Sequence, residues 1–131
     1  GKIENVPILG TGAPNTASKV TVTANKVSGS APGNLTLYIN TNTSSDATLL
    51  SSRAINYAVC VGTCTSFDSI TTKGTITTTG KVAILTNTPL QDAATNYNVY
   101  FWLDGSIITE SHIGATYSGF ISAEAVQVDT R

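Results

Sequence analysis

The side chains that could perform chemistry are few and scattered along this sequence. His112 is the single histidine, so no catalytic or metal-binding cluster can be built on two histidines. The eight acids form no D-x-D-x-D calcium loop. Asp104 and Glu110, across a turn, are the best pair for a Ca²⁺ site formed by folding. G-x-S-x-G, H-E-x-x-H and P-loop motifs are missing. We therefore predict that the protein is not an enzyme and has no cofactor or metal.

The two cysteines are separated by only three residues. Gly62, between Cys60 and Cys64, can adopt a positive φ, so the chain could double back and bring the two sulfurs together. We predict a disulfide at this turn. Two buried free thiols are the alternative, and a single C-x-x-x-C lacks the second ligand pair of a closed zinc site.

The composition favours strands and argues against a charged partner. The chain has 131 residues, of which 40% are hydrophobic and 11% charged, against a usual charged share of about 25%. Threonine, which is β-branched and suits a pleated surface, fills much of the difference. A net charge of -1 lacks the basic footprint of a nucleic-acid or anionic-membrane binder. No apolar run approaches the ~18 residues that span a bilayer.

Apolar runs separated by turn residues predict a series of short strands. They are 19–23, 35–40, 54–61, 74–79, 81–86, 97–103, 106–109 and 115–128. Short helices or turns are predicted only at 47–53 and 89–94, and Asp104-Gly105 is a preferred hairpin turn between two strands. This spacing predicts an all-β fold, a single jelly-roll or β-sandwich domain with an N-terminal extension strand.

The N-terminal segment is an isolated apolar strand on a flexible tether. Its apolar residues lie on both faces of an extended chain: Ile3, Val6, Ile8 and Leu9. Pro7 suits an edge strand, and Gly10-Thr11-Gly12 is a turn-rich linker. The segment is either an ordinary first strand of its own sheet or a donor strand that completes a neighbour's sheet. We divide the chain into a donor strand and linker, 1–12, and a β-sandwich domain, 13–131.

Other features bear on export and on sugars. The chain begins at Gly1 and contains no methionine, which we interpret as removal of a secretory signal peptide; a residue left by a cloning tag is the alternative. Sequons at Asn34 and Asn42 are candidate N-glycosylation sites, although an Asn-, Ser- and Thr-rich chain produces sequons by chance. A run of aromatic residues could form a stacking platform for carbohydrate: Tyr97, Tyr100, Phe101 and Trp102.

The last third of the chain contains two segments, 100–105 and 114–127, the second of which includes Tyr117-x-Gly119 and Glu124-Ala125-x-Gln127. This pattern resembles the C-terminal signature of the TasA/camelysin-like group of secreted prokaryotic fibre proteins. The resemblance implies an exported jelly-roll subunit that polymerises when its N-terminal strand fills a groove in a neighbour, as archaeal bundling pili and threads do. The metalloprotease label attached to camelysin is not carried over, because H-E-x-x-H is missing.

We therefore predict a structural subunit of an extracellular, cell-surface prokaryotic filament: a pilus, a thread or a biofilm fibre. Its partners are identical subunits in a head-to-tail homopolymer, because a heterologous contact that does not close builds a filament. We predict no nucleic-acid partner and no membrane span. The alternatives are a monomeric secreted β-sandwich module for carbohydrate binding or surface adhesion, and a viral coat or decoration subunit.

Overall fold

The computed structural model describes residues 8–9, 18–26, 32–62, 64, 70, 72–112 and 114–127. The elements are β1 (Ile8–Leu9), β2 (Ser18–Ala24), β3 (Gly33–Thr41), α1 (Ala47–Ser51), β4 (Ile55–Val61), β5 (Thr72–Thr75), β6 (Gly80–Pro89), β7 (Thr95–Asp104), a 3-10 turn (Glu110–His112) and β8 (Gly119–Gln127).

The strands form two sheets around one main core, as predicted for an all-β sandwich. The first sheet has the order β6-β3-β8, and both of its pairings are antiparallel. In the second sheet, β7 lies between β2 and β4, and β5 pairs with the far side of β4, again antiparallel. β1 is the exception, because it pairs in parallel with the end of β7.

Alternation of apolar side chains along β3 and β7 produces the core. Leu35, Leu37 and Ile39 of β3 point to one side and are buried. They meet Val99 and Phe101 of β7, neither of which has exposed surface. Side chains on one face of a strand recur every second residue, so this alternation places the buried face of each sheet against the other.

The short elements differ in part from the predictions. The helix predicted at 47–53 is confirmed as α1, and the Asp46 carboxylate caps it by accepting hydrogen bonds from the amides of Thr48 (2.8 Å) and Leu49 (3.1 Å). Of the two possibilities predicted at 89–94, a short helix or a turn, the helix is excluded, since β6 continues to Pro89 and bends follow. The strand predicted at 74–79 overlaps β5 at its first two residues only, because β5 begins at Thr72 and ends at Thr75.

The strand predicted at 106–109 is also wrong. The Asp104 carboxylate accepts hydrogen bonds from both the amide (2.9 Å) and the hydroxyl (2.7 Å) of Ser106. The amides of Ile107 and Ile108 donate to the Asp104 carbonyl at 3.0 and 3.1 Å. These bonds close a tight turn that leads into the 3-10 turn, so the chain does not return along β7 as a hairpin.

Candidate functional site

One margin of the sandwich is open along β8. β8 is nine residues long and pairs with β3, and no other strand of the described ranges pairs with it. Ile121, Ala123 and Ala125 occupy its core-facing side, opposite buried residues of β3. Ile121 is buried, but Ala123 and Ala125 are exposed. The core-facing side of β8 is therefore exposed beyond Ile121, beside a strand edge with which no other described strand pairs.

The open margin of β8 has no direct sign in the sequence. An alternating strand has the same pattern whether or not another strand lies beside it. The one local signal is Ala123-Glu124-Ala125, in which two small residues take core-facing positions where a covered strand usually carries larger ones.

Within the described residues, the N-terminal strand contacts the rest of the domain through a short ladder. Ile8 and Leu9 pair in parallel with Leu103 and Asp104 of β7. The same edge of β7 is occupied by β2 from Thr95 to Phe101, so β2 limits the length of the β1 ladder. Only the backbone of Ile8 and Leu9 is described, and the other two predicted donor residues, Ile3 and Val6, lie outside the described residues. The donor role and the 1–12 boundary stay predictions.

The Tyr117-x-Gly119 motif joins the first residue of β8 to the last residue of β3. The Tyr117 hydroxyl lies 2.9 Å from the Thr41 hydroxyl. A Cβ on Gly119 would lie 2.8 Å from Cζ of the Tyr117 ring, closer still to its hydroxyl oxygen, and 2.9 Å from the Asn40 carbonyl oxygen. Burial raises the pKa of the Tyr117 phenol, and the bond to Thr41 lowers it by a smaller amount. Glycine is required because the ring and the β3 backbone both approach it closely.

Backbone and hydroxyl contacts fix the loop that follows β3 against the segment before β8. The Ser118 carbonyl accepts hydrogen bonds from the Asn42 amide (2.8 Å) and the Ser45 hydroxyl (3.1 Å). The Ser118 amide donates to the same hydroxyl at 3.0 Å, and the Asp46 amide donates to the Thr116 carbonyl at 2.8 Å. These bonds hold the start of β8, and with it the open margin, in one position.

Glu124 lies on the opposite, solvent-facing side of β8. Its carboxylate accepts a hydrogen bond from the Tyr38 phenol, and this bond is the main reason why the pKa of that phenol is raised. The Lys81 ammonium lies 3.7 Å from the Glu124 carboxylate and 4.2 Å from the centre of the Tyr38 ring. The three side chains link β6, β3 and β8, although exposed pairs of this kind contribute little stability.

The predicted disulfide between Cys60 and Cys64 is confirmed. The two Cα atoms are 6.3 Å apart, and Gly62 has a φ of 77° between them. Cys60 is buried with Tyr100 and Ile70 in a small second cluster on the outer face of the five-stranded sheet. The disulfide therefore holds a turn close to this cluster, away from the open margin of β8.

Replacement of both cysteines by alanine is expected to lower the free energy of unfolding by about 2 kcal/mol, because the closed loop is very short. The measurement is urea unfolding of the variant beside oxidised and reduced wild-type protein. Reduced wild-type protein should lose a similar amount. A variant that no longer folds would show that the disulfide supports much more than its own turn.

The aromatic run does not form a continuous sugar platform. Tyr97 and Phe101 belong to the main core, at 1% and 0% exposure, and Tyr100 is buried in the second cluster at 5%. Only Trp102 is partly exposed. Tertiary burial on both faces of β7 explains this difference, because the run lies in a strand that is covered on both sides.

His112 is held in an arrangement unlike that of a catalytic base. Its Nδ1 accepts a hydrogen bond from the Thr109 amide at 2.9 Å, so in the neutral ring the proton is on Nε2. Nε2 lies 3.0 Å from the Ser52 hydroxyl, which itself donates to the Leu49 carbonyl. The ring therefore donates to Ser52 and does not accept its proton, whereas a Ser–His dyad needs the reverse.

The described acids do not converge on a metal site. Asp104 accepts two hydrogen bonds from Ser106 within its own turn. Among the described residues, no group of three or more histidines, cysteines, aspartates or glutamates could hold a metal ion. In the same residues, no helix is both long enough and apolar enough to cross a membrane.

The two sequons lie in different environments. Asn34 is half-buried within β3, where it is paired with Val126 of β8 and Pro89 of β6. Asn42 is exposed in the loop after β3.

No protein-family model matches the sequence, and no curated protein or solved structure is significantly similar to it.

Proposed function

We propose that the protein is the subunit of an extracellular prokaryotic filament in which the N-terminal strand of one subunit completes the three-stranded sheet of the next. The observation that carries the proposal is the open margin of β8. Ala123 and Ala125 are exposed there on the core-facing side of a nine-residue strand, and β3 alone pairs with that strand in the described part of the chain. A nine-residue strand with no second described strand beside it can serve as a template for another strand.

The order of the strands supports an incomplete jelly roll. In an eight-stranded jelly roll, one sheet contains the second, seventh, fourth and fifth strands, and the other contains the first, eighth, third and sixth. The order β2-β7-β4-β5 agrees with the first of these sheets. The order β8-β3-β6 agrees with the second sheet, except that no described strand occupies the place beside β8. The place that needs a strand is the place of the first strand.

The N-terminal segment has the composition to fill this place in a neighbour. Its apolar residues Ile3, Val6, Ile8 and Leu9 are large, and the alanines of β8 leave room for large side chains. Burial of each such side chain contributes roughly 1.5–3 kcal/mol. The contact between the donor strand of one subunit and β8 of the next, which we call the joint, therefore gains several kcal/mol and a ladder of backbone hydrogen bonds, before the cost of association.

The position of β1 is compatible with a donor role. In the described part of the chain, its ladder with β7 covers two residues. Since β2 occupies the rest of that edge, the segment cannot extend its pairing there without displacing β2. A new ladder of several residues with β8 of a neighbour would replace the two residue pairs between β1 and β7 and would form more backbone hydrogen bonds than are lost.

Export from the cell is supported by the disulfide. Cys60 and Cys64 are bonded, and disulfides persist in oxidising compartments outside the cytoplasm. An extracellular, cell-surface location after removal of a signal peptide is therefore part of the proposal. The carbohydrate-binding alternative has weaker support, because only Trp102 of the aromatic run is partly exposed.

The direct test is electron microscopy of the concentrated full chain beside a chain that lacks residues 1–12. Regular filaments from the full chain and monomers from the truncated chain are expected. The truncated chain should keep the circular dichroism of a folded β protein, since β1 contributes only two residues to a sheet. Monodisperse particles from both chains would overturn the filament proposal.

A further inference from the structure

The loop after β3 contains a sequon in a conformation that an extended strand cannot provide. The Oδ1 atom of Asn42 accepts a hydrogen bond from the Ser44 amide at 3.1 Å, which closes an Asx turn over the sequon Asn42-Thr43-Ser44. All three side chains are exposed. Oδ1 is held by Ser44, whereas no hydrogen bond from Nδ2 to another described residue is formed.

A surface depression lies beside this sequon. It has a volume of about 420 Å³ and is lined by Asn40, Thr41, Asn42, Ser118, Gly119 and Phe120. The Phe120 ring is 52% exposed, although it stands in a strand of a packed sheet. Asn40 donates hydrogen bonds to the Ser122 hydroxyl (2.8 Å) and the Phe120 carbonyl (3.4 Å). An exposed aromatic face with amide and hydroxyl groups around it suits the apolar face and hydroxyl groups of a sugar ring.

We propose that Asn42, and not Asn34, carries an N-linked glycan whose first sugar lies in this depression against Phe120. The volume is within the range of small-ligand sites, about 300–1,000 Å³. This inference rests on the export that is part of the proposed function but not on polymerisation, because Asn40 and Phe120 lie on the face of the sheet opposite to the core-facing Ile39 and Ile121.

The two sequons differ in the state of their backbone. Thr36, the third residue of the Asn34 sequon, lies inside β3 between two paired strands. Thr36 is paired with Glu124 of β8, so an Asx turn over this sequon would disturb the β3–β8 ladder. Sequence alone favours neither site, whereas the folded chain presents only the Asn42 sequon in a bent and exposed loop.

The modification needs a sugar donor and an enzyme from the cell. The donor is a polyprenyl-phosphate-linked oligosaccharide, and a membrane oligosaccharyltransferase carries out the transfer. The bond between sugar C1 and the donor phosphate oxygen breaks, and a bond between C1 and Nδ2 of Asn42 forms. The polyprenyl phosphate leaves with the electron pair of the broken bond, and one Nδ2 proton passes to a base of the transferase.

The test is glycopeptide mass spectrometry of protein purified from its natural source. A glycan mass on the peptide that contains Asn42 and none on the peptide that contains Asn34 is expected. Asn42→Gln and Ser44→Ala should each remove the glycan, and the matched variant Asn34→Gln should keep it. An intact mass equal to the sequence mass, or a glycan on Asn34, alone or with Asn42, would overturn the proposal.

The contact between the first sugar and the Phe120 ring is tested by a separate measurement. Enzymatic removal of the glycan should lower the Tm of the wild-type protein by a few degrees, because the sugar covers an exposed aromatic ring. In Phe120→Ala the same treatment should leave the Tm unchanged. Val126→Ala, on the same face at the other end of β8, should behave like the wild type. An equal loss of Tm in Phe120→Ala and wild type would show that the glycan does not use the depression.

Discussion

Subunits with Ala125→Asp are expected to fold normally and to form no filaments. Ala125 is exposed in the single subunit, so a carboxylate there should change the free energy of unfolding by less than about 0.5 kcal/mol. In the proposed joint the same position lies under the neighbour's donor strand. An unpaired carboxylate buried there costs several kcal/mol, which is comparable with the whole gain of the joint.

A mixing experiment separates the donor from the acceptor. Ala125→Asp keeps an intact N-terminal strand but has a damaged groove, whereas Val6→Asp has a damaged strand and an intact groove. Each variant alone should be monomeric in size-exclusion chromatography with light scattering. Together they should form dimers and nothing longer, because only one joint can be made per pair. Such complementation is expected only of a head-to-tail contact.

The matched control is Val126→Asp. Val126 is the next residue of β8, is 62% exposed and faces solvent on the outer side of the sheet. This variant should polymerise like the wild type. Filaments of normal length from Ala125→Asp would show that the donor strand does not lie on the core-facing side of β8. Equal loss from both variants would indicate only a general effect of charge.

The regular part of the fold follows from local patterns in the sequence. The alternation in 35–40 and the apolar runs at 54–61 and 97–103 each contain the centre of an observed strand, β3, β4 or β7. These runs are predictable because burial repeats every second residue and is encoded in the strand itself. The disulfide is predictable for a similar reason, since Gly62 lets two nearby cysteines meet.

The missed features depend on contacts between distant segments. Asp104-Gly105 has the composition of a hairpin turn, but the carboxylate of Asp104 binds Ser106 and redirects the chain. The burial of Tyr100 depends on Ile70, which is thirty positions earlier in the sequence. The margin of β8 is open because no second described strand pairs with it. The residue pattern of a strand does not show whether another strand lies beside it.

The Tyr117-x-Gly119 motif is part of the C-terminal pattern that resembles the fibre proteins. Its physical role follows only from the packing of Tyr117 and Gly119 against the end of β3. Tyr117 crosses the first residue of β8 and contacts Thr41 at the end of β3. A motif of this kind is local in sequence, but its partner is about seventy-five residues away. The close contacts of Tyr117 and Gly119 therefore allow a prediction about stability.

Gly119→Ala is expected to lower the free energy of unfolding by about 1–3 kcal/mol, the range typical of overpacking in a well-packed site. The new Cβ would meet the Asn40 carbonyl oxygen at 2.9 Å, and this atom belongs to the central strand of its sheet and cannot move away at low cost. The Tyr117 ring would also have to shift, which would break its 2.9 Å contact with Thr41. The measurement is urea unfolding followed by circular dichroism.

The matched control is Gly33→Ala, because the two glycines lie at opposite ends of the β3–β8 pair. A Cβ on Gly33 would meet Leu90 at 3.4 Å and the Val126 carbonyl at 3.5 Å, which are ordinary contacts, so a change below about 0.5 kcal/mol is expected. Adding Tyr117→Ala to Gly119→Ala should cost less than the two single effects combined, because the ring that clashes is removed. Strict additivity, or equal effects at Gly33 and Gly119, would show that the close approach of the ring and of the β3 backbone does not select glycine at the start of β8.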